Sequence, residues 1–217
     1  MATITAIEIQ KKRQDRLNID LDGEYAFGIA AILAAGLKIG ASLDPERIAA
    51  LQARDAEEQA FQSALRLIGL RQRSEAELRT YLRKHKTPED VVEHTLARLR
   101  EHRHADDAAF ARSWVENRST FRPRGRRALT WELRRKGVPN EVAETALVEI
   151  DETALAYQAG IKKARQISLC DWPAFRMKVS AYLARRGFPS AIVASTVSQL
   201  WSETHPGQGS ASEEDIP

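Results

Sequence analysis

The feature that most limits what this chain can fold into is an internal repeat. The stretch SEAELRTYLRKHKTPEDVVEHTLARL, residues 74–99, falls on residues 125–150 when shifted by 51 and on 175–200 after a further shift of 50. The apolar positions coincide: Leu78 with Leu129 and Val179, Leu82 with Leu133 and Leu183, Val91 with Val142 and Ile192, Leu96 with Leu147 and Val197, Leu99 with Ile150 and Leu200. So do the prolines Pro88, Pro139 and Pro189. Apolar residues four apart before each proline, and three apart after it, lie on one face of a helix. Each proline stands where a helix can begin, because its missing N–H is not needed in a first turn. The repeated element is therefore helix, tight turn, helix. Gly137 and Gly187 suit a left-handed helix cap. Ser74 with Glu77 has the form of a capping box, and Thr87 is the expected N-cap before Pro88.

An amphipathic helix precedes each copy, over about 56–70, 106–118 and 152–166. The unit is three helices, repeated three times. One such unit is too small to bury its apolar face alone, so neighbours must stack. The expected fold is mainly α: a tandem array of three three-helix repeats, elongated and curved, with a small β-hairpin-containing segment in front. The expected divisions are 1–53 for the N-terminal segment, 54–104, 105–150 and 151–204 for the repeats, and 205–217 for a disordered acidic tail, HPGQGSASEEDIP.

In the N-terminal segment, residues 3–9 and 16–21 read as strands, with Leu17, Ile19 and Leu21 alternating against polar neighbours. Asp22 and Gly23 form a strong two-residue turn signal, and Tyr25 and Phe27 continue a short returning strand. Lys11, Lys12 and Arg13 fall in the turn before the second strand and read as a solvated hairpin tip. A short helix ends near Gly36, and Asp44 with Pro45 opens another.

Cys170 is the single cysteine, so no intramolecular disulfide forms and a reducing cytoplasm is expected. The start, MATITAIEIQKKRQ, lacks the apolar run of a signal peptide, and no stretch is long and apolar enough for a membrane span; the best candidate, 26–35, is short and interrupted by Gly28. No Gly-rich phosphate loop or zinc-binding cysteine pair is present. His94, His102 and His104 are flanked by charges and read as solvent-facing. Nothing in the pattern argues for an enzyme or a cofactor.

The net charge of +3 is mild, so its distribution matters more than its size. Residues 118–136 hold eight basic residues against Glu132 alone, residues 162–186 hold seven against Asp171, and residues 71–86 hold six against Glu75 and Glu77. The third helices differ: residues 139–150 carry Glu141, Glu144 and Glu149 and no base. Stacked repeats would align these stretches into a basic ridge, fit for phosphates or an acidic protein groove. The candidate contacts are Arg118, Arg122, Arg124, Arg126, Arg127, Trp131, Arg134, Arg135 and Lys136 in the second copy, with Lys162, Lys163, Arg185 and Arg186 in the third. Trp131 lies two residues from both Leu129 and Leu133, off the main apolar stripe. It is either an exposed anchor or a packing residue against the next repeat. Trp114, Trp172 and Trp201 read as core or inter-repeat residues.

Residues 107–138, DAAFARSWVENRSTFRPRGRRALTWELRRKGV, resemble the signature region of RecX regulatory proteins. The resemblance rests on Asp107, Phe110, Ala111, Arg118, Pro123, Gly125, Leu129, Glu132, Leu133, Lys136, Gly137 and Val138. RSEAELRTYLRKH, residues 73–85, matches as well, and the likeness extends over about 54–200. It implies three tandem three-helix repeats. It also implies a monomeric, cytoplasmic regulator that binds the RecA filament on single-stranded DNA. Inhibition of RecA's ATP hydrolysis, strand exchange and co-protease activity would follow, with effects on recombination, DNA repair and the SOS response. A stand-alone DNA-binding repeat protein, using the basic ridge directly, is the competing reading.

Overall fold

The computed structural model describes residues 1–167 and 169–206. The chain divides into two compact units at Ala105.

The first unit opens with a sheet: β1 (Ala2–Gln10), β2 (Arg13–Leu21), β3 (Glu24–Ala30) and the short β4 (Ser42–Leu43), in the order β3-β2-β1-β4, with antiparallel pairings throughout. Asp22 and Gly23 both take positive φ, 50° and 91°, the backbone of a type I′ hairpin turn. The first hairpin turn holds only Lys11 and Lys12; Arg13, expected in that turn, begins β2 and pairs with Asp15 at 3.2 Å. Ile4, Ile19 and Ile29 are fully buried and pack with Phe27, Leu43 and Leu51. A single turn of helix, α1 (Ala31–Ala34), follows β3.

Asp44 and Pro45 do open a helix: the Asp44 side chain accepts from the Arg47 amide at 2.6 Å. That helix does not end before the one expected over 56–70. The two are one continuous α2 (Pro45–Leu70) of 26 residues, since nothing before Gly69 breaks the helical run. Its first half buries Leu51 against the sheet, and its second half buries Phe61 and Ala64 in the first repeat. Between the halves lies Asp55, 4% exposed. Arg16 from β2 forks onto it at 3.0 and 2.7 Å, and the Ala30 amide and Gln59 side chain each donate to it at 2.7 Å. Four donors satisfy a buried carboxylate that would otherwise be costly.

The first repeat is completed by α3 (Glu75–Lys84) and α4 (Glu89–Glu101). In the second unit, α5 (Asp107–Phe121), α6 (Arg126–Arg135) and α7 (Asn140–Leu147) form the second repeat, and α8 (Glu152–Gln166), α9 (Trp172–Arg185) and α10 (Ser190–Thr204) the third. Ser74, Asp106, Asp151 and Asp171 cap their helices through side-chain oxygens. The proline-marked turns share one device. The amides of Thr87, Val138 and Phe188 donate back to the carbonyls of Leu82, Leu133 and Leu183 at 3.2, 3.1 and 3.4 Å. That bond needs the preceding residue in the left-handed region. Gly137 (φ 76°) and Gly187 (φ 86°) supply it, and Lys86 (φ 58°) does so in the first copy. Pro88, not Thr87, is the N-cap residue of α4, just as Pro139 and Pro189 are for α7 and α10. Thr87 is instead occupied in closing the turn. Leu78, Leu82, Leu129, Leu133, Val179 and Leu183 are all fully buried, so the aligned positions are equivalent core positions.

Candidate partner-binding surface

The predicted basic residues of the second unit separate into those that hold the fold and those that face water. Glu132, placed on α6 one residue before the core Leu133, is only 9% exposed. Arg118 on α5 donates to it at 2.8 Å, Arg124 approaches it at 3.0 Å, and the Trp114 indole N–H donates at 2.8 Å. A buried carboxylate needs such partners. The single acid in the basic stretch is thus its structural hub. Arg118 and Arg124 are spent internally, which corrects the expectation that both lie on an open ridge. Lys136 is half-buried with its ammonium 5.2 Å from the Trp114 ring, on which Arg118 also stacks at 4.3 Å. Arg126 is tied to the next repeat: its amide donates to Glu152 at 2.7 Å, and its side chain lies 3.9 Å from the same carboxylate. Arg134 donates to Asn140 Oδ1 at 2.7 Å.

Arg122, Arg127, Lys162 and Arg185 are exposed and Lys163 is half-exposed; among the described residues the side chains of these five make no hydrogen bond or ion pair. Trp131 is 56% exposed with the Arg135 guanidinium 4.7 Å above its ring, so it is not buried against the next repeat. Trp201 is buried in the third-repeat core, with Trp172 packed beside it, while Trp114 lies against the second-repeat core.

Three of the predicted cations converge. A cleft of about 310 Å³ between the second and third repeats is lined by Arg122, Lys162 and Arg186, with Phe121, Pro123 and Tyr182. Arg186 is oriented by donating to the Pro123 carbonyl at 3.0 Å and by lying over the Tyr182 ring at 4.5 Å. Phe121 is 72% exposed. Arg127, Trp131, Arg134, Arg135, Lys163 and Arg185 do not line the cleft. Sequence reasoning missed Phe121 and Tyr182. The usable signal was Tyr182 four residues before Arg186, where a ring and a cation share a helix face; Phe121, next to Arg122, gave no such spacing.

The four segments of this architecture each match a family model. The RecX N-terminal domain matches residues 2–44, and the first, second and third RecX three-helix domains match 60–99, 106–147 and 149–197. Regulatory protein RecX of Halalkalibacterium halodurans is 32% identical over 202 residues, covering 89% of this chain and 76% of the relative. The chain belongs to the RecX family. Regulatory protein RecX of Clostridium beijerinckii is 27% identical, covering 92% of this chain and 96% of its own. A crystal structure of regulatory protein RecX superposes with a TM-score of 0.74 at 30% identity, covering 90% of this chain and 98% of the other. RecX from Lactobacillus salivarius shares the fold with a TM-score of 0.63 at 21% identity, over 68% of this chain and 97% of that one. RecX relatives are thus named as regulators, and the repeat array with its short N-terminal sheet is the RecX architecture. Among the described residues no helix is long and apolar enough to cross a membrane.

Proposed function

We propose that this chain binds the RecA filament on single-stranded DNA and inhibits RecA's ATP hydrolysis, strand exchange and co-protease activity. It thereby tempers recombination and the SOS response, acting in the cytoplasm as a monomer, by binding alone and with no cofactor. The observation that carries this reading is the cleft where Arg122, Lys162 and Arg186 meet from two repeats; Arg127, Arg185 and Trp131 of the same unit are also exposed. A guanidinium fork pairs with a carboxylate or phosphate at two points, and an exposed tryptophan beside cations is a strong interface anchor. A filament offers both carboxylates and phosphates.

The test is charge reversal at residues that hold nothing else. Arg122→Glu, Arg127→Glu and Lys162→Glu together should leave the melting temperature in place and weaken inhibition of RecA's ATP hydrolysis at least tenfold, about 1.4 kcal/mol per tenfold. Reversal at Lys11, Lys12 and Lys38, all exposed in the first unit, changes the net charge equally and should leave inhibition intact. Equal losses in the two triple variants would reduce the effect to bulk charge and overturn the assignment.

Phe121 and Tyr182 beside the cleft favour direct DNA binding as a second reading, since bases stack on such rings. It predicts binding to bare oligonucleotides that weakens steeply with salt, with a log–log slope of roughly −0.7 per single-strand phosphate contacted. Filament binding instead requires RecA and a slowly hydrolysed ATP analogue.

A further inference from the structure

The first repeat departs from the other two at the residue that follows the left-handed cap. The residue after the left-handed cap is Val138 in the second copy and Phe188 in the third, 3% and 5% exposed, and each fills its repeat's core. The first copy has Thr87 there, half-buried. A cavity of about 290 Å³ opens at this place, lined by Thr87 with Ala56, Ala60, Arg13, Arg66 and His85 among its walls. The three cationic or potentially cationic side chains come from three separate segments: Arg13 from β2, Arg66 from α2 and His85 from the turn between α3 and α4. No carboxylate is among the residues lining the cavity. Arg66 is exposed and its side chain makes no hydrogen bond or ion pair among the described residues. Arg13 shares its guanidinium with the exposed Asp15. His85 donates through Nδ1 to the Tyr81 carbonyl at 2.8 Å and packs on the Tyr81 ring at 4.2 Å, so its imidazole is held in place. Lys86, between His85 and Thr87, holds a left-handed backbone that the other copies assign to glycine.

We propose that this cavity is a binding site for the phosphate group of a phosphate ester. Two guanidiniums and an imidazole, with Ala56 and Ala60 between them and no carboxylate among the lining residues, suit a tetrahedral phosphate oxyanion. The volume exceeds what the phosphate needs and leaves room for part of the ester. The ester is a small nucleotide, which brings a monoester dianion, or the backbone of a nucleic acid, which brings diester monoanions; both present tetrahedral phosphate oxygens. The site lies in the first unit and does not depend on how the second unit meets RecA.

The experiment is a titration of the full-length, isotopically labelled chain, followed by amide shifts of residues 63 and 85–87. The probes are inorganic phosphate, adenosine monophosphate, hexathymidylate without a terminal phosphate, and a hexaglutamate peptide. Saturable shifts with inorganic phosphate at millimolar concentration are expected, with tighter binding of whichever ester the site serves. Arg13→Gln with Arg66→Gln should weaken this at least tenfold. Thr87→Phe, which places the bulky residue of the third copy at the cavity wall without touching charge, should fill the cavity and abolish it. Asp15→Asn, which frees Arg13, should strengthen it. Tighter binding of the monophosphate points to a nucleotide, and tighter binding of hexathymidylate to a nucleic-acid backbone. Absence of saturation with all three phosphate probes overturns the proposal. So does binding of the peptide alone, or shifts that persist equally in Thr87→Phe and the arginine pair.

Discussion

Gly125 and Gly187 meet backbone to backbone: a Cβ on Gly125 would lie 2.3 Å from the Gly187 carbonyl oxygen. The contact locks the start of α6 onto the end of α9, and the Gly125 amide donates to the Arg186 carbonyl at 3.0 Å beside it. Gly125 stands where the first copy has Ser74, a side-chain cap. With no side chain to spare, the α6 terminus is capped by Glu152 of the next repeat, which accepts from the Arg126 amide. The same strut aligns Arg186 and Arg122 across the cleft.

Gly125→Ala should therefore destabilise the second unit by about 1–3 kcal/mol, the usual range for forcing a methyl into a packed site. Denaturant midpoints measure this, and hydrogen exchange should show α6 and α9 losing protection together. A change within 0.5 kcal/mol, the scale of an ordinary surface substitution, would mean that the junction yields freely.

Glu132→Gln keeps the volume but removes the charge that Arg118 and Arg124 share. Breaking a fully buried pair costs about 3–5 kcal/mol, and the 37% exposure of Arg124 lowers the expectation to about 2 kcal/mol. The urea midpoint of the variant checks this; an unchanged midpoint would return both arginines to the pool of candidate partner contacts.

Leu133→Ala should cost about 2–5 kcal/mol, because Leu133 is fully buried in the second-repeat core. Leu82→Ala and Leu183→Ala should fall in the same range, and thermal unfolding of the three variants provides the comparison.

Lys86→Gly should stabilise the chain by up to about 1 kcal/mol, since a left-handed residue with a Cβ costs roughly 1–2 kcal/mol and glycine gives part of that back in entropy. Gly137→Ala should move the melting temperature the opposite way. A lower melting temperature for Lys86→Gly would show that the lysine side chain contributes more than its backbone strain costs.

The repeat, its helices and its core were legible because they are one-dimensional facts. Leu82, Leu133 and Leu183 recur at a fixed spacing, and a helix converts spacing into a face. Asp22 and Gly23 announced their turn for the same reason: local sterics are written in local residues. The family resemblance came from the same local pattern.

Tertiary structure decided which charges are available. Along the sequence Arg118, Arg122, Arg124 and Arg127 are alike. In space a buried Glu132 takes Arg118 and Arg124 and leaves Arg122 and Arg127 to water. The two expected helices are one α2 for a local reason, because no residue between the sheet contact and the repeat contact forbids continuation. Arg122 meets Lys162 and Arg186, and Arg13 meets Arg66 and His85, only because packing brings distant segments together. Periodicity fixes the face a residue occupies. Whether a charge on that face is spent or open depends on the partner that folding places opposite it, and that partner is rarely a sequence neighbour.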